Sequence, residues 1–171
     1  MHWVGRGEII FGPLDERGNK YTDSILQVLN DAELNASKSD NIQQTLWKKL
    51  LINVAINPVC SIAGVRNGAL LEVKSLWQQA MQAMREAAIV ARASGVDLGD
   101  IELESYLREV VSISPKNRCS MLQDIMAGRE TEIDSLCGAV VMRGEAEGIP
   151  TPCNAILHGL VKGIEKSSSL D

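Results

Sequence analysis

The chain has 171 residues, 45% of them hydrophobic and 23% charged, with a formal net charge of −5. That length suffices for one domain with a real core, burying roughly 70% of the unfolded surface. The acidic and basic residues are interspersed, and neither a basic stripe nor a Lys/Arg-rich tail is present, which argues against nucleic acid as a partner.

Aromatic residues make up only 4% of the chain, so the core must be built from Leu, Ile, Val, Ala and Met. Cys60, Cys119, Cys137 and Cys153 are not in CxxC spacing, and His2 and His158 are the only histidines. Metal binding and a disulfide scaffold are therefore both poor readings, and the four thiols are expected to be buried small hydrophobes in a reducing, cytoplasmic setting. Met1 is not followed by a basic segment and an apolar run, so no signal peptide is expected. The most apolar window, Leu50 to Val65, is interrupted by Asn53, Asn57 and Pro58 and is too short for a bilayer, so no membrane association is expected.

Taken in chain order, Trp3 to Pro13 holds two short β-type runs around a Gly-containing turn, which predicts a small hairpin. Such a hairpin is marginal alone in water, and nothing later in the chain reads as its strand partner. From Asn19 the pattern is helical. Tyr21, Ile25, Val28 and Leu29 form an apolar stripe ending near Leu34. Ser39 or Asp40 is the expected N-cap of a second helix running to Asn57, where Pro58 interferes with the ladder. After a turn at Val65 to Gly68, one long helix is expected from Leu71 to Ala93, with Gly95 as its left-handed terminator. Further helices are expected from Asp97–Asp100 to before Pro115, from Ser120 to Ala127, from Ile133 to Glu147, and from Thr151-Pro152 to Lys166. The boundaries are a hairpin over 1–13, a helical domain over 14–166 and a disordered tail over 167–171. The predicted fold class is all-α with a β-hairpin at its front.

Two features stand apart from a plain core. Lys49, Asn53 and Asn57 are spaced i, i+4, i+8, so successive members lie about 6 Å apart along one helix face. Their neighbours Leu50, Leu51, Ile52, Val54, Ala55 and Ile56 are all apolar. A polar stripe on so apolar a helix must face solvent, a cavity or a ligand, because unpaired buried amides and ammonium groups are costly. Asn is also a poor residue for a helix interior. The second feature is the polar stretch Ser120 to Ile125 and Gly128 to Asp134, which two helices joined by a short turn would also explain. Spacing alone leaves a solvated surface open for both. Gly5, Gly7 and Gly12 do not make GxGxxG, and no helix follows them as a phosphate site needs.

Taken together, six ordered segments resemble the ketopantoate reductase family. They are Trp47-Lys48-Lys49-Leu50 through Asn53, Asn57-Pro58, Asn67-Gly68, Ser120-Met121-Leu122-Gln123-Asp124, Gly128-Arg129 with Thr131-Glu132-Ile133-Asp134, and Gly148-Ile149-Pro150-Thr151-Pro152 with Asn154. Each is weak alone, and the ordered set is specific. The resemblance covers about Trp3 to Lys162. It implies a multi-helix, bundle-like C-terminal domain of the 6-phosphogluconate dehydrogenase-like type, with the hairpin as a remnant of a Rossmann domain not contained in these residues.

The resemblance further implies reduction of ketopantoate, or a similar 2-oxo acid, with NADPH, in the route to pantothenate and coenzyme A. Lys49 matches the family's catalytic lysine, which donates a proton to the ketone oxygen. Asn53, Asn57 and Asn67 match substrate-contacting asparagines, and Ser120, Met121, Leu122 and Gln123 match the segment around the substrate carboxylate. Glu132 matches the carboxylate near the nicotinamide and the lysine. Lys49 is preferred to Lys48 because it alone shares a face with Asn53 and Asn57. The resemblance thus implies the substrate half of a reductase, inert alone and forming a homodimer through helical faces. The competing readings are a non-catalytic oligomerisation module and a reductase of another 2-oxo acid.

Overall fold

The computed structural model describes residues 7–168. It divides into two compact units, Met1–Leu46 and Trp47–Asp171. In the first, strand β1 (Ile9–Phe11) leads through helix α1 (Glu16–Asp31) to strand β2 (Ala36–Lys38). The strands run parallel, pairing Ile9 with Ala36 and Phe11 with Lys38. This corrects the expectation that no later segment partners the first strands. Ala36-Ser37-Lys38 has no apolar alternation to betray it, and its pairing rests on backbone bonds such as Ile9 N–H to Asn35 O at 2.7 Å. Trp3 and Val4, the first run of the expected hairpin, lie outside the described residues. Gly12 is demanded by close approach, since a Cβ there would sit 2.7 Å from the Ser39 carbonyl oxygen.

Helix α2 (Ile42–Ala63) opens at Asn41, whose Oδ1 accepts from the Gln44 N–H at 3.0 Å. Neither Ser39 nor Asp40 is the cap; Ser39 Oγ instead accepts from the Asn41 N–H. The helix also runs past Asn57, with Pro58 inside it. Proline removes a single ladder bond here, to the Val54 carbonyl. The residues around it, Val54, Ala55, Val59 and Cys60, are buried, so packing sustains the helix where propensity would end it.

The expected helix from Leu71 is two: α3 (Ala69–Glu72) and α4 (Lys74–Ala93), parted at Val73, whose backbone is extended. Gly95 is left-handed at φ 77°, as its terminator role requires. Helix α5 (Leu103–Ile113) starts later than expected, because the Glu102 carboxylate caps it by accepting from the Glu104 and Ser105 N–H groups. Helix α6 spans Ser120–Met126. The next expected helix opens as a π-turn over Asp134–Gly138 before α7 (Ala139–Glu147), which ends at left-handed Gly148. Helix α8 (Pro152–Ser168) includes Ser167, whose Oγ donates to the Ile164 carbonyl at 2.8 Å, so the helix reaches further than the expected tail boundary.

The core of the second unit joins Leu51, Val54 and Ala55 of α2 to Met84, Ala87 and Val90 of α4, Leu107 of α5, Ile133, Val140 of α7 and Val161 of α8. Ala80, Ala83, Ala87, Ala88 and Ala91 give α4 a thin buried face that lets its neighbours approach closely. Buried Glu86, on the same helix, closes the start of α8. Its carboxylate accepts from the Cys153 N–H, the Asn154 N–H and Asn154 Nδ2 at 2.9 to 3.0 Å. No helix among the described residues is long and apolar enough to cross a membrane.

Candidate active site

Helix α2 carries its polar stripe from the surface inward: Lys49 is exposed, Asn53 half-buried and Asn57 only 6% exposed. At the deep end, Cys119 Sγ lies 3.6 Å from the Asn57 carbonyl and 3.5 Å from Ser61 Oγ. Cys119 is the residue before α6, so Ser120 begins that helix beside this junction. The turn after α2 is tied to the same approach. Asn67 N–H donates to Asn117 O at 3.0 Å, Gly68 N–H to Pro115 O at 2.9 Å, and Arg66 Nη1 to Lys116 O at 2.9 Å. Gly68 is required there, because a Cβ would lie 2.9 Å from the Pro115 oxygen.

Asn57, Asn67 and Ser120 are thereby gathered around the segment 115–119, with Asn53 and Lys49 one and two turns further along α2. No side-chain hydrogen bond or ion pair engages Lys49, Asn53, Asn57 or Asn67 among the described residues. Asn67 Oδ1 is buried with no donor. In the first turns of α6, Met121 and Leu122 enter the core, while Ser120 and Gln123 stay exposed and Gln123 Nε2 donates to Arg118 O at 2.9 Å. Glu132 is exposed in the segment between α6 and the π-turn, and no bond joins its carboxylate to Lys49 among the described residues.

A charged cluster not anticipated from the sequence lies next to Glu132. Asp134 receives His158 Nε2 at 2.6 Å and Lys162 Nζ at 3.1 Å, and Lys162 also meets Glu165 at 2.8 Å. Hydrogen bonds first from His158 and then from Lys162 hold the Asp134 carboxyl below its ordinary range. Burial pushes the Glu165 carboxyl up, but its bonds from Lys162 and Thr131 outweigh this and leave it lowered. Asp134 reads in sequence only as a helix-start charge. His158 and Lys162 share a face at i, i+4, and that spacing was the available signal. A cleft of about 330 Å³ lies here, lined among others by Arg129, Lys162 and Glu165 and by none of the α2 stripe. Three of its charged side chains are already paired, Arg129 with Asp124 and Lys162 with Glu165.

The described residues do not fit a dinucleotide diphosphate. Of the two helices that follow a strand, α2 has its first turn capped by Asn41 Oδ1, which accepts from the Gln44 N–H at 3.0 Å, and α1 by the Asp15 carboxylate, which accepts from the Gly18 N–H at 3.0 Å. A side-chain oxygen thus stands where phosphate oxygens would need free N–H donors. No group of three or more His, Cys, Asp or Glu residues that could hold a metal occurs among the described residues.

An all-α domain with a Lys-Asn-Asn stripe on one central helix is the class of protein that these features define. The family pattern described as ketopantoate reductase PanE/ApbA C terminal matches residues 41–165, and the chain belongs to that family. It is 33% identical to a 2-dehydropantoate 2-reductase of Archaeoglobus fulgidus over 163 residues, covering 95% of this chain and 54% of that protein. The crystal structure of a PanE/ApbA family ketopantoate reductase from Ralstonia eutropha superposes with a TM-score of 0.87 at 33% identity, covering 97% of this chain and 54% of the other. A D-mandelate dehydrogenase with NADH and anilino(oxo)acetate also superposes with a TM-score of 0.87, at 25% identity over 98% of this chain and 70% of that one. The chain spans about half the length of the curated relatives it matches.

Proposed function

We propose that the chain is the substrate-side half of a 2-dehydropantoate 2-reductase and that it supplies the proton while a separate domain supplies the reductant. The observation that carries this reading is the α2 stripe: an ammonium and two amides with no side-chain partner among the described residues, continued by the buried Oδ1 of Asn67, which has no donor there. The buried Asn67 Oδ1 is costly to leave without a donor, which a ligand would supply, and the exposed Lys49 ammonium is free to meet the same ligand.

In this reading ketopantoate lies along the stripe. Lys49 Nζ donates to the ketone oxygen, stabilises the negative charge that grows there on reduction, and releases its proton to form the alcohol. Asn53, Asn57 and Asn67 orient the substrate without adding charge. Ser120 and Gln123 serve its carboxylate from the start of α6, with Met121 and Leu122 fixing that turn from the core side. Glu132 balances the charge of Lys49. NADPH, held by a dinucleotide-binding domain outside residues 7–168, would be the hydride source. The likeness to the D-mandelate dehydrogenase favours one second reading, a reductase of another 2-oxo acid that uses NADH.

The reading is tested by titrating the chain with NADPH in a calorimeter, with and without ketopantoate, while following NADPH oxidation. The chain alone is expected neither to bind nucleotide nor to turn over. Supplied with the dinucleotide-binding half of a relative, it is expected to oxidise NADPH when ketopantoate is present. Turnover by the chain alone would overturn the reading.

A further inference from the structure

We propose that α8 is the positioning element for Glu132: Glu165 holds the Thr131 backbone before that carboxylate, Lys162 holds the Asp134 side chain after it, and together they set its reach. The inference rests on Glu132 belonging to the site as proposed above. On the N-terminal side, the Thr131 N–H donates to Glu165 Oε1 at 2.7 Å, and the Glu165 side chain is only 11% exposed. On the C-terminal side, Asp134 takes His158 on one oxygen and Lys162 on the other. Lys162 Nζ meets Glu165 Oε2 as well, so one ammonium links the two grips. His158, Lys162 and Glu165 follow one another at spacings of four and three, which places them on one face of α8.

Between the grips, Ile133 is fully buried and its N–H donates to Thr131 Oγ1 at 3.2 Å. Within 131–134, Glu132 is thus the residue whose side chain is left exposed and without a partner among the described residues. The π-turn that follows, closed by Gly138 N–H to Ile133 O at 3.0 Å, inserts a residue into the helix and re-aims what precedes it. Gly138 fits the arrangement, since a Cβ there would press to 3.3 Å on the His158 ring and push it from Asp134.

Global stability is a poor explanation for this convergence. The Asp134 and Lys162 side chains are 65% and 44% exposed, and exposed ion pairs contribute little to overall stability. What the pairs do restrict is local opening of the four-residue stretch 131–134 that contains Glu132.

The test compares the chain with Lys162→Met and Lys162→Arg, reading hydrogen exchange of the 131–136 amides and the Glu132 carboxyl resonance as ketopantoate is added. Lys162→Met is expected to speed exchange about tenfold at 131–136 while leaving α4 unchanged, and Lys162→Arg to restore protection. The Glu132 response to ketopantoate should weaken at least about threefold in Lys162→Met and recover in Lys162→Arg. Exchange that is unchanged, or that rises equally in α4, would overturn the proposal. Local loosening with an unaltered Glu132 response would also overturn it, by reducing the clamp to a structural tie. A Glu132 carboxyl silent to ketopantoate in the unmodified chain would instead remove Glu132 from the proposed site.

Discussion

The N-terminus of α8 and the inner end of the stripe on α2 are both polar features that reach the apolar core, and their donors are used in opposite ways. At α8 the Glu86 carboxylate, 4% exposed, meets three N–H donors from Cys153 and Asn154, and Asn154 Nδ2 also donates to the Ala83 carbonyl at 3.1 Å. On α2, Lys49, Asn53 and Asn57 meet no side-chain partner among the described residues. The difference separates polar groups that hold the fold from polar groups that await something outside it. Burial alone does not make the distinction, because Asn57 and Asn154 are both buried. What distinguishes them is where their donors go: Asn154 Nδ2 meets Glu86 and Ala83, although Asn154 Oδ1, like Asn67 Oδ1, has no donor among the described residues.

The largest expected effect breaks the comparison on the α2 side. With a dinucleotide-binding half supplied, Lys49→Ala should lower kcat by on the order of 10²- to 10⁴-fold, the usual contribution of a positioned general acid. Lys48→Ala, one residue away on another face, should change kcat by less than about threefold. Steady-state assays of the two variants check this, and equal losses would dissolve the stripe as a unit.

The next effect breaks the other side. Glu86→Ala strands the Cys153 N–H and the Asn154 N–H in the core and leaves Asn154 Nδ2 only its bond to Ala83, and should destabilise the chain by about 3 kcal/mol, read from the urea midpoint. Asn53→Ala, with its side chain half-buried and unpartnered, should move that midpoint very little.

The smallest effect concerns the buried thiols, two of which, Cys137 and Cys153, lie near the same carboxylate. Burial first, then the neighbouring Cys119, pushes Cys60 up to about 12; burial, then Cys153 and Glu86, pushes Cys137 up to about 12; burial, then Glu86, takes Cys153 to about 11. An unfolded thiol loses its proton near pH 9, so the folded state retains protons that the unfolded state releases. The stability these thiols contribute is complete below pH 9 and is lost as pH rises toward their folded values. At pH 8 an alkylating reagent should leave all four cysteines unmodified until urea unfolds the chain, as read by intact mass.

Much of this was legible in the sequence. The helix terminators Gly95 and Gly148, the Thr151-Pro152 start of α8 and the i, i+4, i+8 stripe are local signals, and the structure places them as read. The misses share a physical origin in tertiary contacts. Pro58 stays helical because its flanks are buried, β2 exists through backbone pairing to a strand 27 residues earlier (Ile9 with Ala36), and the Glu86 cap reaches α8 from another helix. The Asp134 cluster follows the same rule. His158 and Lys162 are a visible pair on α8, but nothing local names their partner 24 and 28 residues upstream.

The most direct test of the stripe as a ligand face is to add ketopantoate to the chain and follow the side-chain amide resonances of Asn53, Asn57, Asn67 and Asn154. The account predicts that the first three shift together, saturate at one concentration, and lose that response in Lys49→Ala, while Asn154, held by Glu86, stays still. A shift at Asn154 with the stripe unmoved, or no shift at any of the four, would contradict it.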